Sequence, residues 1–157
     1  MTTSSLNTVP ANTDFYSQRV MLVSDSIEVG QALEQFVFSG LAMRVVARMQ
    51  TFDNIVDTAH RFLPDVMVAY FTDIDAQRVE RIRLVVQALP SLNVLVIANT
   101  VAMSIVREVF SAGAKGYLLD MPSREELLDA LTRIADQRQV LDAELRKTAE
   151  GRRFAVW

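Results

Sequence analysis

Five short, mostly apolar runs, each followed by apolar residues at helical spacing, constrain this chain more than any other feature. The runs lie at residues 20–23 (Val20, Met21, Leu22, Val23), 43–48, 65–71, 94–98 and 116–119. They do not alternate polar with apolar, so they read as strands covered on both faces, and such strands belong in a parallel sheet. Between them the apolar residues recur every three or four positions. Ile27, Val29, Leu33, Phe36 and Val37 form the first stripe, and Ile55, Val56, Ala59, Phe62 and Leu63 the second. Val79, Ile82, Val86 and Leu89 form the third, Ile105, Val106, Val109 and Phe110 the fourth, and Leu127, Leu128, Leu131 and Ile134 the fifth.

Punctuation falls where helices should stop and start. Gly40, Pro64 and Pro90 end the first three helical stretches, and Gly113 lies just past the fourth as a C-terminal cap. Ser123 followed by Glu126 is a capping box opening the fifth. The second run carries Arg44 and Arg48, as an edge strand should. Parallel neighbours need right-handed crossover helices. The expected fold is therefore α/β: a flavodoxin-like, doubly wound five-stranded parallel sheet with five helices. Its ligand site is expected at the carboxyl ends of the strands.

Residues 1–18 are polar, rich in Ser, Thr and Asn, and read as a flexible lead. Residues 19–140 hold the β/α units, and 141–157 read as a C-terminal helical extension and tail. A length of 157 residues, half of them hydrophobic, suits one domain with a real core. The lead lacks the basic and apolar regions of a secretory signal, and no apolar run approaches a membrane span, so a cytoplasmic protein is expected. A net charge of −3 is no nucleic-acid footprint, and the absence of cysteine excludes disulfides, thiolate metal sites and cysteine nucleophiles.

Several stretches resemble the receiver domains of response regulators that precede LuxR-type DNA-binding domains. The most specific is Ser111-Ala112-Gly113-Ala114-Lys115-Gly116-Tyr117-Leu118-Leu119, followed by Glu125-Glu126-Leu127-Leu128-Asp129-Ala130-Leu131. Pro64-Asp65-Val66-Met67-Val68 and Arg19-Val20-Met21-Leu22-Val23 resemble the third and first strands of that family. The resemblance covers about residues 18–143 and implies a CheY-like fold.

In that family an Asp ending the third strand accepts a phosphoryl group, and two acidic residues after the first strand hold Mg²⁺. A Thr or Ser ends the fourth strand and a Lys the fifth. Hard oxygens suit Mg²⁺, and the ammonium and hydroxyl offset charge on the transferring oxygens. Carried onto this chain, the acceptor position is Tyr70, the acidic pair is Ser24 and Asp25, the hydroxyl position is Ala98, and the Lys position is Asp120. Only Asp25 matches. Reversing the charge at the Lys position matters most after Tyr70. Unit charges about 4 Å apart interact by about 4 kcal/mol at an effective dielectric near 20, and reversing the sign counts that twice. Tyr117 matches the aromatic that swings in or out when family members are phosphorylated.

Tyr70 is expected to plug the hollow that metal and phosphate would fill, its hydroxyl paired to a neighbour such as Asp25. Asp73, three residues further on, is an alternative acceptor, and with Asp25 and Asp120 an alternative metal cluster. Against the cluster stand solvated loop acids, with Asp25 capping the first helix. His60, the only histidine, reads as a surface residue far from the strand ends. Arg146, Lys147, Arg152 and Arg153, interleaved with Glu144 and Glu150, read as a solvated helix face rather than a nucleic-acid contact. The tail Phe154-Ala155-Val156-Trp157 could dock on a partner or on its own domain.

The leading expectation is a non-enzymatic, cofactor-free pseudo-receiver that binds another regulator, a sensor kinase or its own copy. Receivers of this kind work through the fourth helix, fifth strand and fifth helix, and LuxR-associated ones also pair through the first and fifth helices. By that resemblance the contact residues are Val101, Ser104, Arg107, Tyr117, Arg124 and Asp129. The alternatives are a phosphotransfer receiver with Asp73 as acceptor and a small-ligand sensor.

Overall fold

The computed structural model describes residues 18–40 and 42–151, with side chains to residue 147. The chain order is β1 (Gln18–Ser24), α1 (Ile27–Phe38), β2 (Met43–Met49), α2 (Ile55–Phe62), β3 (Val66–Phe71), α3 (Ala76–Ala88), β4 (Asn93–Ala98), α4 (Met103–Ser111), β5 (Gly116–Leu119), α5 (Arg124–Ala135), β6 (Val140–Leu141) and α6 (Ala143–Gly151). The strands form one sheet in the order β2-β1-β3-β4-β5-β6, every pair parallel. Strand order reverses between β1 and β3, the switch point at which ligands sit in doubly wound sheets.

Every residue of β3 and β4 is buried, as their unbroken apolar runs demand. One core cluster lies on each face of the sheet. Met21, Met67, Phe71, Val96, Val106 and Tyr117 belong to the first. Leu22, Leu33, Val68, Tyr70, Ile97 and Leu131 belong to the second. No residue of β2 is fully buried, consistent with its place at the edge.

The helix ends use the expected chemistry. The capping box is made in full, with Ser123 and Glu126 each bonding the other's backbone N–H. Gly113 has a φ of +114°, and a Cβ there would meet Val86 Cγ1 at 2.6 Å, so only glycine fits. Arg19 takes the end of α2, donating to the carbonyls of Phe62 at 2.6 Å and Leu63 at 3.2 Å.

Three expectations need correction. Among the described residues there are six strands and six helices, and the sixth strand forms because Val140 and Leu141 pair with Gly116 and Tyr117 where only a helical extension was expected. Ile27 is 55% exposed although it fell on the apolar stripe, because it sits in the first turn, beyond the sheet. Leu63 is 61% exposed because the chain turns left-handed there, at φ 47°, to enter Pro64. The tail 154–157, Arg152, Arg153 and the lead before Gln18 lie outside the described residues. Among the described residues no helix is long and apolar enough to cross a membrane.

Candidate functional site

The carboxyl ends of β1, β3, β4 and β5 carry the residues singled out from the sequence. Ser24, the last residue of β1, pairs in register with Tyr70 of β3, and Phe71 pairs with Ala98. Ser24 is buried and turns back on its own loop. Its hydroxyl donates to the Ser26 carbonyl at 2.6 Å and accepts from the Ser26 N–H at 3.1 Å. The cap of α1 is Ser26, whose Oγ accepts from the Val29 N–H at 3.3 Å. Asp25 is therefore not the cap.

Asp25 is spent elsewhere. Its carboxylate accepts from the Thr72 backbone N–H at 2.9 and 3.1 Å and from the Thr72 hydroxyl at 2.8 Å. These bonds tie the end of β1 to the loop after β3. Two donors thus share a carboxylate that has about four acceptor sites. Charge-assisted bonds of this kind are the stronger class, although this group is exposed to water.

Tyr70 is buried, with its side chain in the cluster that covers the α1 and α5 face of the sheet. The Thr72 side chain and the Asp25 carboxylate both act on its hydroxyl. Burial pushes the phenol's pKa up, and the negative charges of Asp25 and Asp120 push it further, while the Thr72 bond opposes them. Both carboxylates thus bear on the same hydroxyl, and none of the five positions supplies a cation.

Asp120 is exposed and adopts a left-handed backbone at φ 58°, with its N–H donating 3.0 Å to the Ala98 carbonyl. Asp tolerates that conformation better than most residues, because its short side chain bonds locally. Ala98 itself is wholly buried. Asp73 is exposed on the loop after β3. Among the described residues no three His, Cys, Asp or Glu side chains converge on a possible metal, so Asp25, Asp73 and Asp120 form no such cluster. The concavity beside Asp25, bounded by Thr51, Phe52, Asp53, Arg78 and Arg81, holds about 240 Å³. That is below the usual size of a small-molecule site, roughly 300–1,000 Å³. His60 is exposed on α2, as expected.

Tyr117 departs from expectation as a contact residue, being fully buried. Its hydroxyl donates to the Thr100 carbonyl at 2.9 Å. Burial drives its pKa far above the ordinary tyrosine value, and Asp120 and Asp142 add to the rise. Of the other expected contact residues, Val101, Ser104 and Asp129 are exposed and Arg107 is half-buried. Arg124 donates to the Ser39 hydroxyl at 2.6 Å, linking α5 to the end of α1, and Asp129 pairs with Arg133 at 3.0 Å.

Two residues with structural roles at this end were not singled out from the sequence. Thr72 binds Asp25 across 47 positions, a separation no local pattern reports. Asp142 accepts from the Leu119 N–H at 2.9 Å and from the Glu144 N–H at 3.0 Å, and its own N–H donates to the Tyr117 carbonyl at 2.9 Å. An Asp just ahead of a helical segment is the signal that could have found it.

Comparison with solved structures places this architecture among receiver domains. A LuxR-family two-component response regulator from Aurantimonas sp. SI85-9A1 superposes with a TM-score of 0.80 at 21% identity, over 88% of this chain and 99% of that one. The isolated REC domain of RcsB from Salmonella enterica serovar Typhimurium, in the presence of phosphomimetic BeF3−, superposes at 0.74 with 13% identity, over 83% and 97%. A protein described as pilus assembly-related, from Burkholderia pseudomallei K96243, superposes at 0.70 with 19% identity, over 77% and 91%. No protein-family model matches the sequence, and no curated protein matches it. The likeness establishes a CheY-like receiver fold, and a fold shared across such different proteins does not fix a function.

Proposed function

We propose that this chain is a phosphorylation-independent, non-enzymatic receiver-like module of cytoplasmic signal transduction or transcription control, acting by binding another regulatory protein or a sensor kinase. The observation that carries the reading is the state of Asp25. The one acidic residue that matches the receiver pattern spends both carboxylate oxygens on Thr72. Beside it Tyr70 fills the acceptor position, and Asp120 adds negative charge where a phosphoryl group would need positive charge. Signalling by such a domain rests on partner binding, which shifts a conformational equilibrium as well as a phosphate does. Val101, Ser104, Arg107, Arg124 and Asp129 are the contact residues by resemblance, and Tyr117 serves beneath them as support.

A thermal melt with BeF3− and Mg²⁺ tests the reading. A ligand at a hundred times its Kd stabilises by about 2.7 kcal/mol, which raises Tm by about 5–11 °C in a domain of this size. The melting curve is expected to be unchanged. A rise of that magnitude would mean an intact phosphoryl site, and loss of the rise in Asp73→Asn would assign that site to the relocated acceptor.

A further inference from the structure

The outer stripe of α1 is built unlike the surface of a helix that only meets water. Ile27, Gln31, Gln35 and Phe38 are all exposed and follow one another at spacings of four, four and three, so they line one face. The stripe is apolar at both ends, and the charge on it, Glu34, seven residues after Ile27 and four before Phe38, is paired to Arg48 of β2. Phe38 is 86% exposed, the largest exposure among the large apolar residues described. A concavity of about 580 Å³ runs along the stripe, lined by Gln31, Glu34, Gln35, Phe38 and Arg48. A second, of about 360 Å³, lies on the other flank of Phe38, toward Met43, Arg44 and Val45 of β2. The ring of Phe38 therefore stands as a ridge between two grooves.

We infer that this face, α1 with the flank of β2, is where a second copy of the chain docks in an isologous, antiparallel α1–α1 contact. The stripe is self-complementary about a two-fold axis near its middle. Residue numbers that face each other sum to about 65, so Ile27 of each copy meets Phe38 of the other and Gln31 meets Gln35. A glutamine amide both donates and accepts, so the two Gln31–Gln35 pairs can each close two hydrogen bonds. Charge agrees with the same arrangement. Glu34 and Arg48 are joined at 2.5 Å within one copy and lie near the axis, so two copies bring two acids and two bases together with no net charge. The Glu28 carboxylates fall at opposite ends, about 15 Å apart along the helix at 1.5 Å per residue.

The neighbouring strand edge excludes the competing mode of association. β2 carries a bulge at Val46, since Val20 pairs with Val45 and Met21 with Ala47. It also carries Arg44 and Arg48, which an antiparallel β2–β2 pairing centred on Val46 would set opposite each other. Bulges and like charges are how proteins blunt edges against strand addition. Helix packing is what remains on this side. The surface differs from the α1 and α5 pairing implied by resemblance, because α5 contributes no residue to either groove. One three-turn helix and a strand flank lie at the small end of specific interfaces, below roughly 1,200 Å² in total, which makes a weak dimer.

The test is sedimentation velocity of the protein between about 5 and 500 µM, a range suited to an interface of this size. It is run beside Phe38→Asp, an equimolar mixture of Gln31→Cys and Gln35→Cys, which the antiparallel register sets opposite each other, and, as a control on the opposite face, Glu108→Cys. The chain has no cysteine of its own, so each introduced thiol reports alone. Expected are a monomer–dimer equilibrium, at least tenfold weakening by Phe38→Asp with an unchanged melting curve, and oxidative crosslinking of Gln31→Cys to Gln35→Cys in the mixture but none within Glu108→Cys. A monomer at every concentration, a dimer indifferent to Phe38→Asp, or as much crosslinking in Glu108→Cys as in the mixture would overturn the inference.

Discussion

Replacing Tyr117 with Phe isolates a single hydrogen bond at the point where receivers keep their mobile aromatic. The ring is fully buried in the core cluster that also holds Met103, Val106, Leu141 and Leu145, and only its hydroxyl is polar, donating 2.9 Å to the Thr100 carbonyl. Removing the hydroxyl leaves the packing intact and forfeits the net worth of one hydrogen bond, about 0.5–1.5 kcal/mol. Thr100 is only partly buried, so water can reach its carbonyl and the lower half of that range applies. In a domain of this size each kcal/mol moves Tm by about 2–4 °C, so Tyr117→Phe should melt roughly 1–4 °C lower. Tyr117→Ala also removes the ring from a closed core and should cost about 3–5 kcal/mol. Urea denaturation followed by circular dichroism, with a constant m-value, gives both numbers. A Tyr117→Phe variant as stable as the parent, together with a Tyr117→Ala cost under about 1 kcal/mol, would mean that the ring spends its time outside and would refute its buried, hydrogen-bonded placement.

Deleting residues from 140 onward uncovers the β5 edge and removes Val140, Leu141 and Leu145, all buried. At about 1.5–3 kcal/mol each, the loss is of the order of the whole stability of a domain, so the truncated chain should bind a hydrophobic dye and lose its cooperative melt, and a sharp melt near the parent's would contradict this. Gly113→Ala forces a side chain onto a left-handed backbone against Val86 and should destabilise by more than about 1 kcal/mol in the same urea assay. Tyr70 and Tyr117 both have raised pKa values, so the fold favours their neutral forms. Their contribution to stability is complete below the ordinary value of 10.0 and is lost as pH climbs from there through the folded values. The urea midpoint should therefore fall above pH 10, and the fall should shrink in the Tyr117→Phe variant.

The sequence was legible where burial wrote it. The runs at 66–71 and 94–98 are apolar because both faces of β3 and β4 are covered. β6 escaped notice because two residues cannot show a period, and Val140 and Leu141 are strand only because Gly116 and Tyr117 lie beside them. At the strand ends the residue types could be read, and their partners could not. Asp25 and Ser26 are both good capping residues, and the choice between them was settled by Thr72, distant in sequence, which claims the carboxylate. Tyr117 carried the right identity for a contact residue and the wrong exposure, because β6 and α6 close over the face that β5 would otherwise present.

Whether the strand ends accept a phosphoryl group is decided most directly by the intact mass of the protein after incubation with acetyl phosphate and Mg²⁺. With Asp25 held by Thr72, Tyr70 in the acceptor position and Asp120 opposing further negative charge, the mass should remain that of the unmodified chain. A stoichiometric phosphoryl adduct would contradict the account.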